Sequence, residues 1–186
     1  EQLRRRYRVE VETIAADLGD RSATATVAQR LADGDSPVHV LVNNAGHGLH
    51  VPLLTEDLTE IERSMEVMIR SVLVLGGAAG RAMRPRGRGV IINVSSVAGL
   101  VPMGAYSAIK SFVDTYSESL ALELAGTGVR VTSLLPGWVH TEFHARAGLR
   151  ASLPGIVWID ADVLVQQCLA DADKGKIESI PTKRWR

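Results

Sequence analysis

Apolar and polar positions along the chain fall into short, distinct blocks. Glu1 to Tyr7 is charged and reads as the end of a helix. Val9 to Leu18 alternates apolar and polar residues up to a Gly19-Asp20 stop, which predicts a strand. Ser22 to Ala32 has helical spacing, with Ser22 placed to cap it and Gly34 just past its end. Val38 to Val42 is a continuous apolar run, the pattern of a parallel strand buried on both faces, and it stops at Asn43-Asn44-Ala45-Gly46. A helix opening at Thr55, with early acidic residues that suit its dipole, runs on to about Met83. Arg84 to Gly89 is a basic Pro/Gly turn. Val90 to Val94 is a second buried strand, ending at Ser95-Ser96, and Ala105 to Leu124 is a long helix. Val129 to Leu135 is a further strand ending at Pro136-Gly137. Residues 140–157 read as irregular, Asp160 to Ala172 as helix and Lys176 to Ile180 as a last short strand.

Strand and helix alternate with short connections, which predicts a single α/β domain over residues 1–186 built on a doubly wound parallel sheet. In such sheets ligands sit beyond the carboxyl ends of the strands. Here those ends carry Asp17-Leu18, Asn43 to Gly46, Ser95-Ser96 and the run Pro136 to Thr141. Small, polar and turn-forming residues at every strand end suit a groove for a polar, extended ligand.

Composition narrows the partners. Lys plus Arg and Asp plus Glu each total 21, so the net charge is zero, which argues against nucleic acid or an anionic membrane held by bulk charge. Cys168 is the one cysteine, which excludes an internal disulfide and a cysteine-based zinc site and makes a reducing, cytoplasmic compartment the expectation. No apolar run approaches the roughly 18 residues of a membrane span.

Chemistry concentrates at Tyr106 and Lys110. Standing at i and i+4 at the start of the long helix, they share one face. An ammonium beside a phenol favours the phenolate and predicts a lowered tyrosine pKa, suited to acid–base work. Ser96, at the end of the preceding strand, is placed to hold a substrate oxygen against Tyr106.

Asn-Asn-Ala-Gly after a strand, Ser-Ser before a loop, Tyr-Ser-Ala-Ile-Lys opening a helix and Pro-Gly-Trp-Val-His-Thr after the next strand together resemble the short-chain dehydrogenase/reductase family, in its single-domain branch. The resemblance covers nearly the whole chain. It implies a Rossmann-type sheet, NAD or NADP as cofactor, and hydride transfer between the nicotinamide and a carbonyl or alcohol carbon of a small-molecule substrate. Carried over, Tyr106 would be the general acid/base, Lys110 would tune it and hold the nicotinamide ribose, and Ser96 would position the substrate oxygen. Asp17 and Leu18 match the pair that contacts the adenine, and Asn43 the residue bordering the adenosine. Val139 and Thr141 match residues that touch the carboxamide and phosphates. The family also implies a homo-dimer or homo-tetramer, for which Gly76, Ala79, Ala121 and Leu122 offer small and apolar contacts.

The chain departs from the family in two places. The glycine-rich phosphate loop is missing, so the expected sheet lacks its first βαβ portion and the sequence reads as N-terminally truncated. Gly76 to Arg81, although glycine-rich, lies within a helical pattern and suits close helix packing. Met68 falls where the family has an asparagine that holds a proton-relay water, and a thioether makes no strong hydrogen bond. These departures leave a non-catalytic, dehydrogenase-like scaffold that self-associates or binds a partner as the alternative. No metal site is expected: His140 and His144 have Glu142 at the wrong offset for a zinc hydrolase. His47 and His50 read as surface residues and Cys168 as core.

Overall fold

The computed structural model describes residues 2–141 and 158–181. Among them, α1 (Gln2–Tyr7), α2 (Arg21–Ala32) and β1 (Val40–Asn43) come first. A long helical stretch follows: α3 (Thr59–Met65), a π-helical turn (Glu66–Arg70) and α4 (Ser71–Met83). Then come β2 (Gly89–Val94), a 3₁₀ turn (Val97–Leu100), α5 (Ala105–Glu123) and β3 (Val129–Leu134). The remaining elements are β4 (Trp138–His140), β5 (Trp158–Asp160), α6 (Ala161–Asp173) and β6 (Glu178–Ser179).

The main sheet is parallel throughout, in the order β1-β2-β3-β6, with Asn43 opposite Asn93 and Asn93 opposite Ser133. At its centre, β2 and β3 are buried by helices on both faces. Leu41, Ile91, Val129 and Val131 pack against Leu31 of α2, Leu75, Ala79 and Met83 of α4, and Leu120 of α5. One residue along, Ile92 and Leu134 turn the other way onto Leu164 and Cys168 of α6. Cys168 is core, as its context predicted, and burial pushes its thiol up to about 11. Gly76 is spent on helix packing: a Cβ there would lie 2.6 Å from the Tyr116 hydroxyl of α5. Gly76 and Ala79 are therefore buried within the chain, and of the expected oligomer contacts it is Leu122 that faces solvent.

Several expectations are corrected. Residues 8–17 form no strand: alternation makes a strand only where a neighbour accepts its hydrogen bonds, and this segment is held by side chains instead, Arg30 to Glu12 at 2.9 Å and Arg4 to the Val11 carbonyl. β1 is covered on one face only, with Val40 and Val42 half exposed. Asp20, not Ser22, caps α2, accepting from the Ala23 amide at 2.7 Å, while Ser22 donates to the same carboxylate. The helix expected from Thr55 begins at Thr59, behind an Asp57 carboxylate that accepts the Thr59 amide at 2.9 Å. The last strand shrinks to Glu178–Ser179 and is held by Asp171 of α6, which accepts from Ser179 at 2.8 Å and Lys176 at 2.6 Å. A second, two-stranded parallel sheet pairs β4 with β5, and His140 stacks on Trp158 at 4.8 Å between centroids. Most of the segment read as irregular, with His144, lies outside the described residues. No helix of the described residues is long and apolar enough to cross a membrane.

Candidate active site

β1, β2 and β3 end on the same edge of the sheet, so the turns after them converge there. Ser95 and Ser96 follow β2 and divide two tasks. Ser95 is buried and donates to the Lys110 carbonyl at 2.8 Å, fixing the strand end to α5. Ser96 caps the 3₁₀ turn by accepting from the Ala98 amide at 3.1 Å, donates to the Pro136 carbonyl at 3.5 Å, and stands near enough to Tyr106 to pull its pKa downward. The turn lies flat on α5 because residue 99 is glycine: a Cβ there would stand 2.9 Å from the Lys110 carbonyl carbon and the Ser111 nitrogen.

Tyr106 sits in the first turn of α5 and Lys110 one turn later, with the Lys110 nitrogen 5.7 Å from the phenol ring centroid. Lys110 is 5% exposed and donates to the Val94 carbonyl at 2.8 Å. Burial pushes its ammonium down to about 8. Burial also pushes the Tyr106 hydroxyl up to about 12, against a smaller downward pull from the Ser96 hydrogen bond. The expected lowering of the phenol is thus reversed, because Lys110 is turned to a main-chain carbonyl and the desolvation of Tyr106 dominates.

Behind Lys110 lies the π turn. Met68 is 1% exposed and packs with Leu49, Ala105 and Ile109, with Tyr106 against the same cluster. The loop after β1 closes over it: a Cβ at Gly46 would come 3.2 Å from the Met68 sulfur and 3.7 Å from the Lys110 nitrogen. His47, half-buried rather than fully exposed, bonds Ser64 at 2.8 Å. Because the Ser64 hydroxyl donates to the Glu60 carbonyl, His47 Nε2 is the donor in that pair.

The structure brings Ser96, Tyr106 and Lys110 together and engages the other expected residues elsewhere. The Asn43 amide donates to Asn93 at 2.8 Å, and Asn93 donates to Ser117 at 2.9 Å, a buried chain linking β1, β2 and α5. Asp17 is exposed and paired with Arg63 of α3 at 3.0 Å; its own bond to the Gly19 amide, then Arg63, hold its carboxyl below the ordinary carboxylate range. Leu18 packs on the helical core. Val139 is buried in register with Ile159 of β5, and Thr141 is exposed just after β4. Gly99 and Asn93 were not singled out from the sequence, and neither was the anchoring role of Ser95. The doubled serine was the one available signal, since two hydroxyls at one strand end can serve two masters.

The short chain dehydrogenase family model matches residues 1–150. The chain is 38% identical over 153 residues to a galactitol 2-dehydrogenase (L-tagatose-forming) of Cereibacter sphaeroides, covering 79% of this chain and 59% of that protein. It is 37% identical over 135 residues to pig carbonyl reductase [NADPH] 2, covering 70% and 54%. A short-chain dehydrogenase from Sphingobium yanoikuyae in complex with NADPH superimposes with a TM-score of 0.90 at 32% identity, over 99% of this chain and 74% of that one. A bulky-bulky ketone specific alcohol dehydrogenase from Comamonas testosteroni gives 0.84 at 30% identity, over 99% and 72%. The chain thus spans a little over half the length of these two sequence relatives. A parallel sheet wound on both sides, a Ser–Tyr–Lys group at its carboxyl edge and this run of matches place the chain in the short-chain dehydrogenase family.

Proposed function

We propose that the chain is the body of an NAD(P)-dependent oxidoreductase that moves hydride between the nicotinamide and the carbon of a carbonyl/alcohol pair, with Tyr106 as general acid/base. The observation that carries this reading is the grouping of Tyr106 with Ser96, which acts on its phenol, and with Lys110, whose nitrogen lies 5.7 Å from the ring centroid. Burial keeps the phenol protonated at neutral pH. In the reductive direction Ser96 Oγ orients a carbonyl oxygen, and Tyr106 Oη gives it a proton as charge builds there.

The described residues suit the nicotinamide–ribose end of such a cofactor. Lys110 spends one N–H on Val94 and has others for a ribose hydroxyl, and Gly46 keeps side chains clear of its nitrogen. When bound, the nicotinamide supplies or accepts the hydride. NADP and NAD both suit these residues; Asn43, Asp17, Leu18, Val139 and Thr141 are the proposed contacts along the rest of the molecule. Among the described residues, no glycine-rich turn joins a strand to a helix N-terminus as a pyrophosphate cradle does. Exposed Leu100, Val101 and Met103, between Ser96 and Tyr106, favour a substrate with apolar substituents. A second copy of the chain is the proposed partner, with Leu73 and Leu122 as the exposed apolar positions on α4 and α5.

The test is NADPH oxidation by the purified protein against aldehydes and ketones, with NADPH binding followed separately by fluorescence. Tyr106→Phe is expected to cut turnover by roughly 10²–10⁴-fold while leaving binding intact. Undiminished turnover would remove Tyr106 from the reaction. Absence of NADPH binding would favour the scaffold reading instead, which the apolar Met68 beside Lys110 also supports.

A further inference from the structure

The helix that carries Tyr106 and Lys110 repeats the same four-residue step to Asp114 and Glu118, so the four side chains form a face that winds by about 40° per step. Beyond Lys110 that face meets the far edge of the sheet. Carboxylate oxygens of Asp114, Glu118 and Glu178 of β6 all lie within 4.8 Å of one another. Asp114 is only 8% exposed, and its Oδ1 is buried with no hydrogen-bond partner. Ser133 of β3 is wholly buried, stands in register with Glu178, and its Oγ is also without a partner. Three converging carboxylates, one with an orphaned oxygen, thus lie on α5 and β6, and the orphaned Ser133 hydroxyl belongs to the residue of β3 paired with Glu178.

Such an arrangement is costly by itself. A buried polar oxygen left unpaired is destabilising, and carboxylates this close repel. No Lys or Arg of the described residues forms a salt bridge with any of the three. Burial, then the neighbouring Asp114 and Glu118, hold the Glu178 carboxyl above its ordinary range.

We propose that Asp114, Glu118 and Glu178 bind a divalent cation, with the Ser133 hydroxyl as a further oxygen donor, and that the ion fastens α5 to β6. An all-oxygen donor set selects hard cations. Ca²⁺ holds its ligands at roughly 2.3–2.6 Å, so two ligands on one ion stand up to about 5 Å apart, whereas Mg²⁺ at roughly 2.0–2.1 Å allows only about 4 Å. Oxygens within 4.8 Å of one another lie inside the reach of one Ca²⁺, and Mg²⁺, which demands near-octahedral geometry and gives up water reluctantly, suits such a protein-built set less well. The site uses none of the residues assigned to hydride transfer and stands whether or not that assignment holds.

The test is calorimetric titration of the chelator-treated protein with CaCl₂, and separately with MgCl₂, alongside thermal melting. One Ca²⁺ per chain is expected, with a Kd of about 0.1–1 mM, weaker Mg²⁺ binding and a higher melting temperature in Ca²⁺. Glu118→Gln and Glu178→Gln, both near-isosteric at exposed positions, are each expected to weaken binding roughly tenfold or more, with the circular dichroism spectrum unchanged. No heat and no melting shift up to about 10 mM Ca²⁺, far above the affinity range of such sites, would overturn the proposal. Binding undiminished in the Glu118→Gln/Glu178→Gln double variant would also overturn it. A Glu118–Glu178 pair that merely shares a proton gives the first of these results.

Discussion

Lys110 is held in an environment that disfavours its charge, and removing that charge should stabilise the protein. Burial takes the ammonium from its ordinary 10.5 down to about 8. At about 1.4 kcal/mol per pH unit, the folded state pays roughly 3 kcal/mol for that charge at neutral pH. Lys110→Met keeps the apolar stem and removes the charge, at a loss of about 1 kcal/mol for the hydrogen bond to Val94. The net expectation is a gain of about 2 kcal/mol at pH 7. The pH dependence is the sharper check. Because the folded pKa lies below the unfolded one, the unfolded chain binds more protons between about 8 and 10.5, so wild-type stability rises with pH across that window. About 2 kcal/mol should return by pH 9.5, and the advantage of Lys110→Met should shrink to match. Urea unfolding of both proteins at the two pH values measures this. A Lys110→Met protein that is less stable at neutral pH, or whose advantage does not change with pH, would refute the reasoning.

Further outcomes follow from the same geometry. Gly99→Ala drives a methyl against the α5 backbone and should cost about 1–3 kcal/mol, visible as a melting midpoint several degrees lower; an unchanged midpoint would mean the 3₁₀ turn has room to move. Met68→Asn buries an amide beside Lys110, at a cost of about 1–3 kcal/mol in stability, and should raise turnover tenfold or so if a proton relay is missing; no gain would show that protons bypass position 68. The rate of carbonyl reduction should fall as pH rises through about 8, where Lys110 loses its charge, and a kcat/KM profile flat across that value would argue against a charged Lys110 in the reaction. Asn93→Ala breaks the chain from Asn43 to Ser117 and should cost roughly 1–3 kcal/mol, read by urea unfolding, because the Asn43 amide is left without its acceptor.

The legible parts of the fold were those where burial is two-sided. β2 carries the apolar run Val90 to Ile92 because Ile91 and Ile92 face opposite helical layers, and β3 places Val129, Val131 and Leu134 on them, so their positions could be read to within a residue. Val9 to Leu18 misled because alternation records amphipathicity but not whether a neighbouring strand exists to pair with. The three-residue strands β4 and β5 are too short to show any period, and their aromatic contacts join positions far apart in sequence. At the site, the Tyr106–Lys110 spacing and the doubled serine were visible. The partner of Lys110 was not, because it is the backbone carbonyl of Val94, and no side-chain pattern encodes that. The upward shift of Tyr106 was hidden for a related reason, since it depends on how much water the packing excludes.

The π turn at Glu66–Arg70 has a consequence for how this chain tolerates length changes. One extra residue per turn rotates everything after it by about 100° relative to an unbroken α-helix. That offset lets a single helical stretch serve two masters: Met68 faces Lys110, while Leu75, Ala79 and Met83 face the sheet. Deleting one residue within the turn would let the helix close into regular α form and force a choice between the two faces. The larger core would win, and Met68 would swing away from the lysine. The stretch is thus a phase shifter, in which residue count rather than residue identity keeps the wall of the site in place.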